Sequence, residues 1–284
     1  MTRYLITGAA GMLGRDLQAV LSGRDVTALS RSQLDVTDGD AVAAAVEGHD
    51  VIVNAAGYTR VDDAESHEVD AFAINATGAA HLATAAARFG ATLVQLSTDY
   101  VFDGTAGAPY TESNPRTPVS AYGRTKAEGE RLALEIHPEG TRVIRTAWLY
   151  GEHGGNFAAT ILRLAGERDT IDVVDDQRGQ PTWTMDLATR IAAMLDADVA
   201  PGNYHATNSG EATWFDFAQA VFTLAGLDAR RVKPTTSSRF IRPAHRPAYS
   251  VLGHNAWKTV GLGPMRDWKS ALESAFASGA LGAS

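Results

Sequence analysis

Five short runs rich in Val, Ile and Leu alternate with longer helical patterns through the first half of the chain. The runs are Tyr4 to Thr7, Val26 to Leu29, Val51 to Asn54, Thr92 to Ser97 and Thr141 to Thr146. Between them, helical patterning covers Gly14 to Leu21, Asp38 to Glu47, about Asp70 to Gly90, and Ser120 to Glu135. Such alternation reads as βαβ units around a parallel sheet with helices on its faces. The Ala-rich stretch from Ala71 to Ala87 fits a thin helix packed closely on that sheet.

After residue 150 the texture changes. Gly151, Gly154, Gly155, Gly166 and Gly179, then Pro181, Pro234, Pro243, Pro247 and Pro264, cut the chain into short elements with long loops. Helical patterns persist at Asp186 to Ala197, Trp214 to Leu224 and Pro264 to Ser278. The expected organisation is a nucleotide-binding domain over 1–150 and a mainly substrate-binding lobe over 151–284, some of whose segments return to the sheet. Such a lobe would cover the carboxyl edge, where open α/β sheets bind ligands.

The chain has 284 residues, ample for a core without disulfide or metal staples. It contains no Cys, which excludes disulfides, Cys-ligated zinc, iron–sulfur clusters and thiol catalysis. A net charge of −8 argues against nucleic acid as the main partner. Met1-Thr2-Arg3 leads straight into an apolar run and glycines, so no secretion signal is read. The most apolar stretch, Gly78 to Leu96, is broken by His81, Arg88 and Gln95, and no membrane partner is expected. A cytoplasmic location follows as an expectation. The eight histidines form no HxxxH or HxH cluster, so no catalytic metal is assigned.

Gly8-Ala9-Ala10-Gly11-Met12-Leu13-Gly14 is a GxxGxxG loop set directly between the first strand and the first helix. In that position glycines permit a tight turn and close approach of the backbone to a pyrophosphate seated on the helix N-terminus. The fold class is therefore α/β: a Rossmann-type doubly wound parallel sheet with a smaller, partly discontinuous α/β lobe. Arg31 follows the second strand, where an NAD-selective fold would carry a ribose-binding acid, and an Arg there can pair with a 2′-phosphate. NADPH is the expected cofactor, with NADH as the alternative. Asp35 and Val36 are placed to meet the adenine, although Asp35 could equally cap a helix.

Tyr122-Gly123-Arg124-Thr125-Lys126 is YxxxK, which sets phenol and ammonium on one helix face. A nearby cation favours the phenolate and would bring its pKa down toward the working range. Ser97-Thr98-Asp99, at a strand end, adds hydroxyl and carboxyl groups.

These strings together make the chain resemble the extended short-chain dehydrogenase/reductases, and within them the dTDP-4-dehydrorhamnose reductase family. The carriers are GAAGMLG at 8–14, NAAGYTRVDDAES at 54–66, INATG at 74–78, STDYVFDG at 97–104, YGRTK at 122–126, RTAWLYG at 145–151, DDQRGQPT at 175–182 and RPAYSVL at 246–252. The resemblance implies NAD(P)H-dependent reduction of the C4 ketone of dTDP-4-dehydro-β-L-rhamnose to dTDP-β-L-rhamnose, with a related dTDP-4-keto-6-deoxysugar reductase of antibiotic biosynthesis, such as a dTDP-L-dihydrostreptose synthase, or a non-catalytic dinucleotide-binding regulatory subunit as alternatives. It implies Tyr122 as proton donor, Lys126 as the group that binds the nicotinamide ribose, and Thr98 as the hydroxyl on the substrate oxygen. Gly8, Gly11, Met12, Leu13, Gly14, Ala56, Gly57, Tyr58 and Thr59 are implied cofactor contacts, beside Arg31, Asp35, Val36, Tyr122 and Lys126. Val61, Thr98, Asp99 and Trp148 are implied substrate contacts, the indole face suiting the CH face of a deoxysugar. Gln177, Arg178, Thr182, Arg242 and Arg246 are candidates for the nucleotide diphosphate.

Two departures stand out. Some family members use a Glu of the first helix in a magnesium-linked dimer contact, where this chain has Asp16, so Mg2+ is left open and both monomer and homodimer stay open. The RPxxSxLD string ends in Gly253 instead of Asp.

Overall fold

The computed structural model describes residues 1–281. Its elements, in chain order, are β1 (Arg3–Thr7), α1 (Met12–Val20), β2 (Asp25–Leu29), α2 (Gly39–Val46), β3 (Val51–Asn54), α3 (Glu68–Phe72), α4 (Gly78–Phe89), β4 (Thr92–Thr98), α5 (Ala121–Ile136) and β5 (Thr141–Thr146). They continue with β6 (Leu149–Tyr150), α6 (Phe157–Glu167), β7 (Ile171–Val174), β8 (Arg178–Gly179), β9 (Thr182–Trp183), α7 (Thr184–Asp196), β10 (Gly202–His205) and β11 (Ala212–Thr213). The last are α8 (Trp214–Leu224), β12 (Val232–Thr235), α9 (Asn255–Thr259) and α10 (Trp268–Ala277).

Six strands form one parallel sheet in the order β10-β5-β4-β3-β1-β2. The order reverses between β1 and β3, and the crevice at such a reversal is where doubly wound sheets bind nucleotides. Leu5, Ile52 and Leu93 face α2 and α4, whereas Ile6, Val53, Val94 and Ile144 face α1 and α7. Strands buried on both faces read as continuous Val/Ile/Leu runs, as these do. A separate apolar core joins α6, α8 and α10 around Tyr150, Phe217, Phe222 and Trp268. β10 comes from beyond residue 200 yet pairs with β5, so the second half of the chain contributes to the main sheet.

The single helix read over about 70–90 is interrupted. Residues Ala73–Thr77 form a π-turn between α3 and α4. There Asn75 is turned inward: its side chain accepts from Tyr58 N at 2.8 Å and donates to Tyr58 O at 3.1 Å and Thr125 Oγ1 at 3.0 Å. A π-turn shifts the register of side chains around the axis, and here it aims one amide at a loop. Asp35 and Val36 lie at a turn, where Asp35 Oδ1 accepts from both Thr37 N (3.0 Å) and Thr37 Oγ1 (2.8 Å), and the cap of α2 is Asp38 instead.

Candidate active site

The carboxyl end of β1 runs into the glycine loop. Gly8 has φ +68, and a Cβ built on it would lie 2.6 Å from Ala55 C and Ala56 N. A Cβ on Gly14 would lie 2.4 Å from Gly8 O. Both positions therefore require glycine, for loop-to-loop and helix-to-loop contact respectively. Gly11 caps α1 without a side-chain hydrogen bond, leaving first-turn amides for an anion. A cavity of about 200 Å3 opens there, lined among others by Gly8, Gly11, Arg31, Asp35, Val36, Ala56 and Gly57. These residues fit a dinucleotide: a cradle with no Cβ, free amides, and an exposed Arg31 at the rim.

The other expected cofactor contacts divide. Met12 is half-buried, but Leu13 turns its side chain into the core, so only its backbone can serve a ligand. Thr59 is exposed, and Val61 is half-buried. Tyr58 is buried, with its backbone held by Asn75 and its phenol donating to Asp63. A polar lattice behind the cavity went unread in the sequence. Asn54 accepts from Thr7 Oγ1 at 2.6 Å and Ala56 N at 3.1 Å, and donates to Gln95 Oε1 at 2.8 Å. It ties the ends of β1 and β3 to the middle of β4 and fixes the loop that follows β3.

Thr98 ends β4, and Tyr122 and Lys126 lie in the first turns of α5, whose cap is the Ser120 hydroxyl accepting from Gly123 N at 3.1 Å. α5 lies so close to the turn after β4 that a Cβ on Gly123 would sit 2.2 Å from Tyr100 O. This brings the phenol of Tyr122 beside Thr98, with Tyr100 packed edge-on against it at 5.7 Å between centroids. Thr98 Oγ1 donates to Asp99 Oδ1 at 2.9 Å and accepts from Tyr100 N at 3.2 Å. The Asp99 carboxyl is buried, its Oδ2 has no partner, and burial pushes its pKa up to about 6 against the pull of Ser250 and Thr98. Lys126 Nζ donates to Leu96 O at 2.5 Å, and a Cβ on Gly57 would lie 3.9 Å from it, so the ammonium adjoins the dinucleotide cavity. Burial lowers its pKa to about 8, opposed by the charge of Glu130.

The expectation that Lys126 lowers the Tyr122 pKa is not met in this unliganded arrangement. Burial pushes the phenol up to about 12, the Thr98 hydroxyl opposes the rise, and the Asp99 charge adds to it. The YxxxK spacing puts both groups on one face, but the ammonium is turned to the strand carbonyl.

Behind this group lies a second feature that sequence reading missed. Glu130, one turn beyond Lys126, is wholly buried and accepts from Arg145 Nε at 2.9 Å, Arg145 Nη2 at 2.7 Å and Ser97 Oγ at 2.5 Å. Arg145 is 1% exposed, and the pair bolts α5 to β4 and β5.

Thr146 pairs with Thr98 in the sheet, and Trp148 follows two residues on, at the same edge. Its φ of +48 is strained for a bulky side chain, at a cost of about 1–3 kcal/mol. Its indole stacks on Trp214 at 3.6 Å between centroids and 8° between planes. Of the diphosphate candidates, Thr182 is fully buried with its hydroxyl on Gln180 O at 3.2 Å, so it serves the fold. Arg178 pairs with Glu211 at 3.1 Å, and Arg246 grips Asp62 with two bonds of 2.7 and 2.8 Å. Gln177 is buried, and Arg242 is exposed. Asp16 is buried with Oδ2 unpartnered, and burial raises its pKa. Among the described residues no group of three or more His, Asp or Glu side chains converges to hold a metal.

A nucleotide cradle at the strand-order reversal, with a Thr–Tyr–Lys group two strands along the same edge, belongs to a dinucleotide-dependent oxidoreductase of short-chain type. The family described as RmlD substrate binding domain matches residues 2–280. The dTDP-4-dehydrorhamnose reductase of Streptomyces griseus is 52% identical over 96% of this chain and 93% of its own length. The dTDP-4-keto-6-deoxy-D-glucose reductase of Streptomyces niveus is 50% identical over 96% of each chain. Among solved structures, the dTDP-4-dehydrorhamnose reductase of Bacillus anthracis in complex with NADP superposes with a TM-score of 0.93 at 38% identity, covering 98% of this chain and all of that one. The chain belongs to the dTDP-4-dehydrorhamnose reductase family.

Proposed function

We infer that this chain catalyses reduction of the C4 ketone of dTDP-4-dehydro-β-L-rhamnose to dTDP-β-L-rhamnose, with NADPH as the reductant. The observation that carries the reading is the grouping of the Thr98, Tyr122 and Lys126 functional groups at the edge beside the glycine cradle. Relatives named for this activity, one of them solved with NADP, support the choice of sugar and cofactor. Arg31 at the cavity rim favours the 2′-phosphate, with NADH as the weaker alternative. Residues 1–150 are read as the nucleotide-binding domain and 151–284 as mainly the sugar lobe.

NADPH supplies the hydride when bound. As hydride reaches the carbonyl carbon, negative charge grows on the oxygen, and hydroxyl donors placed there stabilise it. Tyr122, its phenol held protonated by burial, has the proton to give. Thr98 rests with its hydroxyl donating to Asp99. Turning that hydroxyl to the substrate oxygen frees the Asp99 carboxylate to accept a sugar hydroxyl, an exchange that loses no hydrogen bond. Lys126 stands beside Gly57, where its ammonium can meet the nicotinamide ribose.

A second reading keeps the chemistry and changes the sugar. It is favoured by the Streptomyces niveus relative named for a dTDP-4-keto-6-deoxy-D-glucose substrate. Steady-state NADPH oxidation with each dTDP-4-keto-6-deoxysugar compares the two. The first reading expects the higher kcat/KM with the L-rhamno ketone; a preference for the D-gluco ketone overturns it.

A further inference from the structure

Trp148 is held from both sides. Trp214, at the start of α8, covers one face of its indole in a nearly parallel stack. On Gly179 of β8, a Cβ would lie 2.5 Å from Trp148 Cε2, 2.7 Å from Cζ2 and 2.8 Å from Nε1. Three such similar distances put that atom over the ring and not beyond its edge. On the Trp214 side it would fall between two rings 3.6 Å apart and meet Trp214 first, so Gly179 covers the opposite face. Face-on stacking of a sugar, expected from the sequence, gives way to contact with the indole edge.

We propose that Trp214 is a positioning residue for sugar recognition: by clamping the Trp148 indole against Gly179, it fixes which edge faces the sugar beside Thr98. The inference rests on the reading of Trp148 as a substrate contact. Three independent observations meet in it. Trp148 occupies the left-handed region that a bulky residue avoids, so its placement depends on surrounding contacts. Gly179 has the only kind of side chain that admits the ring. Trp214 is anchored by a capping box, with Thr213 Oγ1 accepting from Asp216 N at 3.0 Å and Asp216 Oδ2 accepting from Thr213 N at 2.9 Å. Phe157 packs against it at 4.6 Å between centroids. The clamp thus joins an aromatic of the α6–α8 core to the end of the main sheet.

The experiment compares Trp214→Ala, Trp214→Phe, Trp148→Ala and the double Ala variant, using dTDP-4-dehydro-β-L-rhamnose and NADPH. Trp214→Ala should raise KM for the sugar nucleotide about tenfold, the upper range for a lost aromatic pair, with kcat and KM for NADPH within about twofold. Trp214→Phe, which keeps a ring in the stack, should recover most of the loss. The exciton couplet of two stacked indoles in the far-ultraviolet circular dichroism should vanish in each variant. In the Trp148→Ala background, Trp214→Ala should add nothing, because it acts through Trp148. A full further tenfold loss there would mean that Trp214 meets the sugar itself, and would overturn the proposal. So would an unchanged KM in Trp214→Ala alongside a raised KM in Trp148→Ala. An unchanged KM in Trp148→Ala would instead fail the reading of Trp148 as a sugar contact. Should Trp214→Ala not fold, Gly179→Ala disturbs the clamp from the other side and must give the same rise in sugar KM, or the proposal fails.

Discussion

The Lys126 ammonium donates to the carbonyl oxygen of Leu96 at 2.5 Å, two residues before Thr98 on the same strand. This cation is buried, and burial lowers its pKa from 10.5 to about 8. Below pH 8 both folded and unfolded chains carry the charge, and the folded chain bears the whole desolvation cost. Between 8 and 10.5 the folded chain sheds the proton first, so this site's contribution to stability rises with pH. Lys126→Met should therefore melt higher than the parent at pH 7, by an amount on the order of 3 kcal/mol before other losses, with a gain that shrinks above pH 8. Leu96 O keeps a donor in that variant, because Gln95 Nε2 also reaches it at 2.9 Å. Thermal melts across pH check this, and a lower melting temperature at pH 7 would contradict it. The same variant should lose most turnover.

Tyr122→Phe removes the proton and leaves the packing against Tyr100. Turnover should fall by about 100-fold or more while NADPH affinity stays nearly constant, the pattern of a lost general acid. Because the parent phenol holds its proton up to about pH 12, the alkaline fall of parent kcat/KM, which reports the free enzyme, should track Lys126 near pH 8. A flat parent profile through pH 10 would detach Lys126 from the reaction.

Arg31 stands exposed at the rim of the dinucleotide cavity. Arg31→Asp should shift preference from NADPH toward NADH by roughly 1–2 kcal/mol, since a carboxylate repels a 2′-phosphate and can accept a ribose hydroxyl. The ratio of kcat/KM for the two cofactors measures it. An unaltered ratio would place the adenosine phosphate elsewhere.

Glu130→Gln breaks a buried pair and leaves Arg145 charged without its partner. Such a loss costs about 3–5 kcal/mol, which for a chain of this size lowers Tm by roughly 10 °C. Differential scanning calorimetry decides, and a change of a degree or two would show that the pair stabilises little.

The parallel sheet, the glycine loop and the placement of Thr98, Tyr122 and Lys126 were legible because each depends on local pattern: apolar runs, glycine spacing and a helical repeat. What the sequence hid depends on residues far apart in the chain. Nothing near Glu130 announces Arg145, and nothing around Asn75 marks the π-turn that aims it at Tyr58. Arg246 reads as a phosphate ligand until Asp62, 184 positions away, is seen to hold it. Trp148 reads as an open stacking plate until Trp214 and Gly179 are seen to cover it. The Lys126 effect on Tyr122 was misjudged because spacing gives a face, not the direction in which a long side chain turns.

The central claim is the reaction itself. Purified protein with dTDP-4-dehydro-β-L-rhamnose and NADPH should consume the two in equal amounts, and proton NMR of the product should show a new C4 hydrogen with the rhamno configuration of dTDP-β-L-rhamnose. NADPH left unoxidised, or a product with the other configuration at C4, would contradict the account.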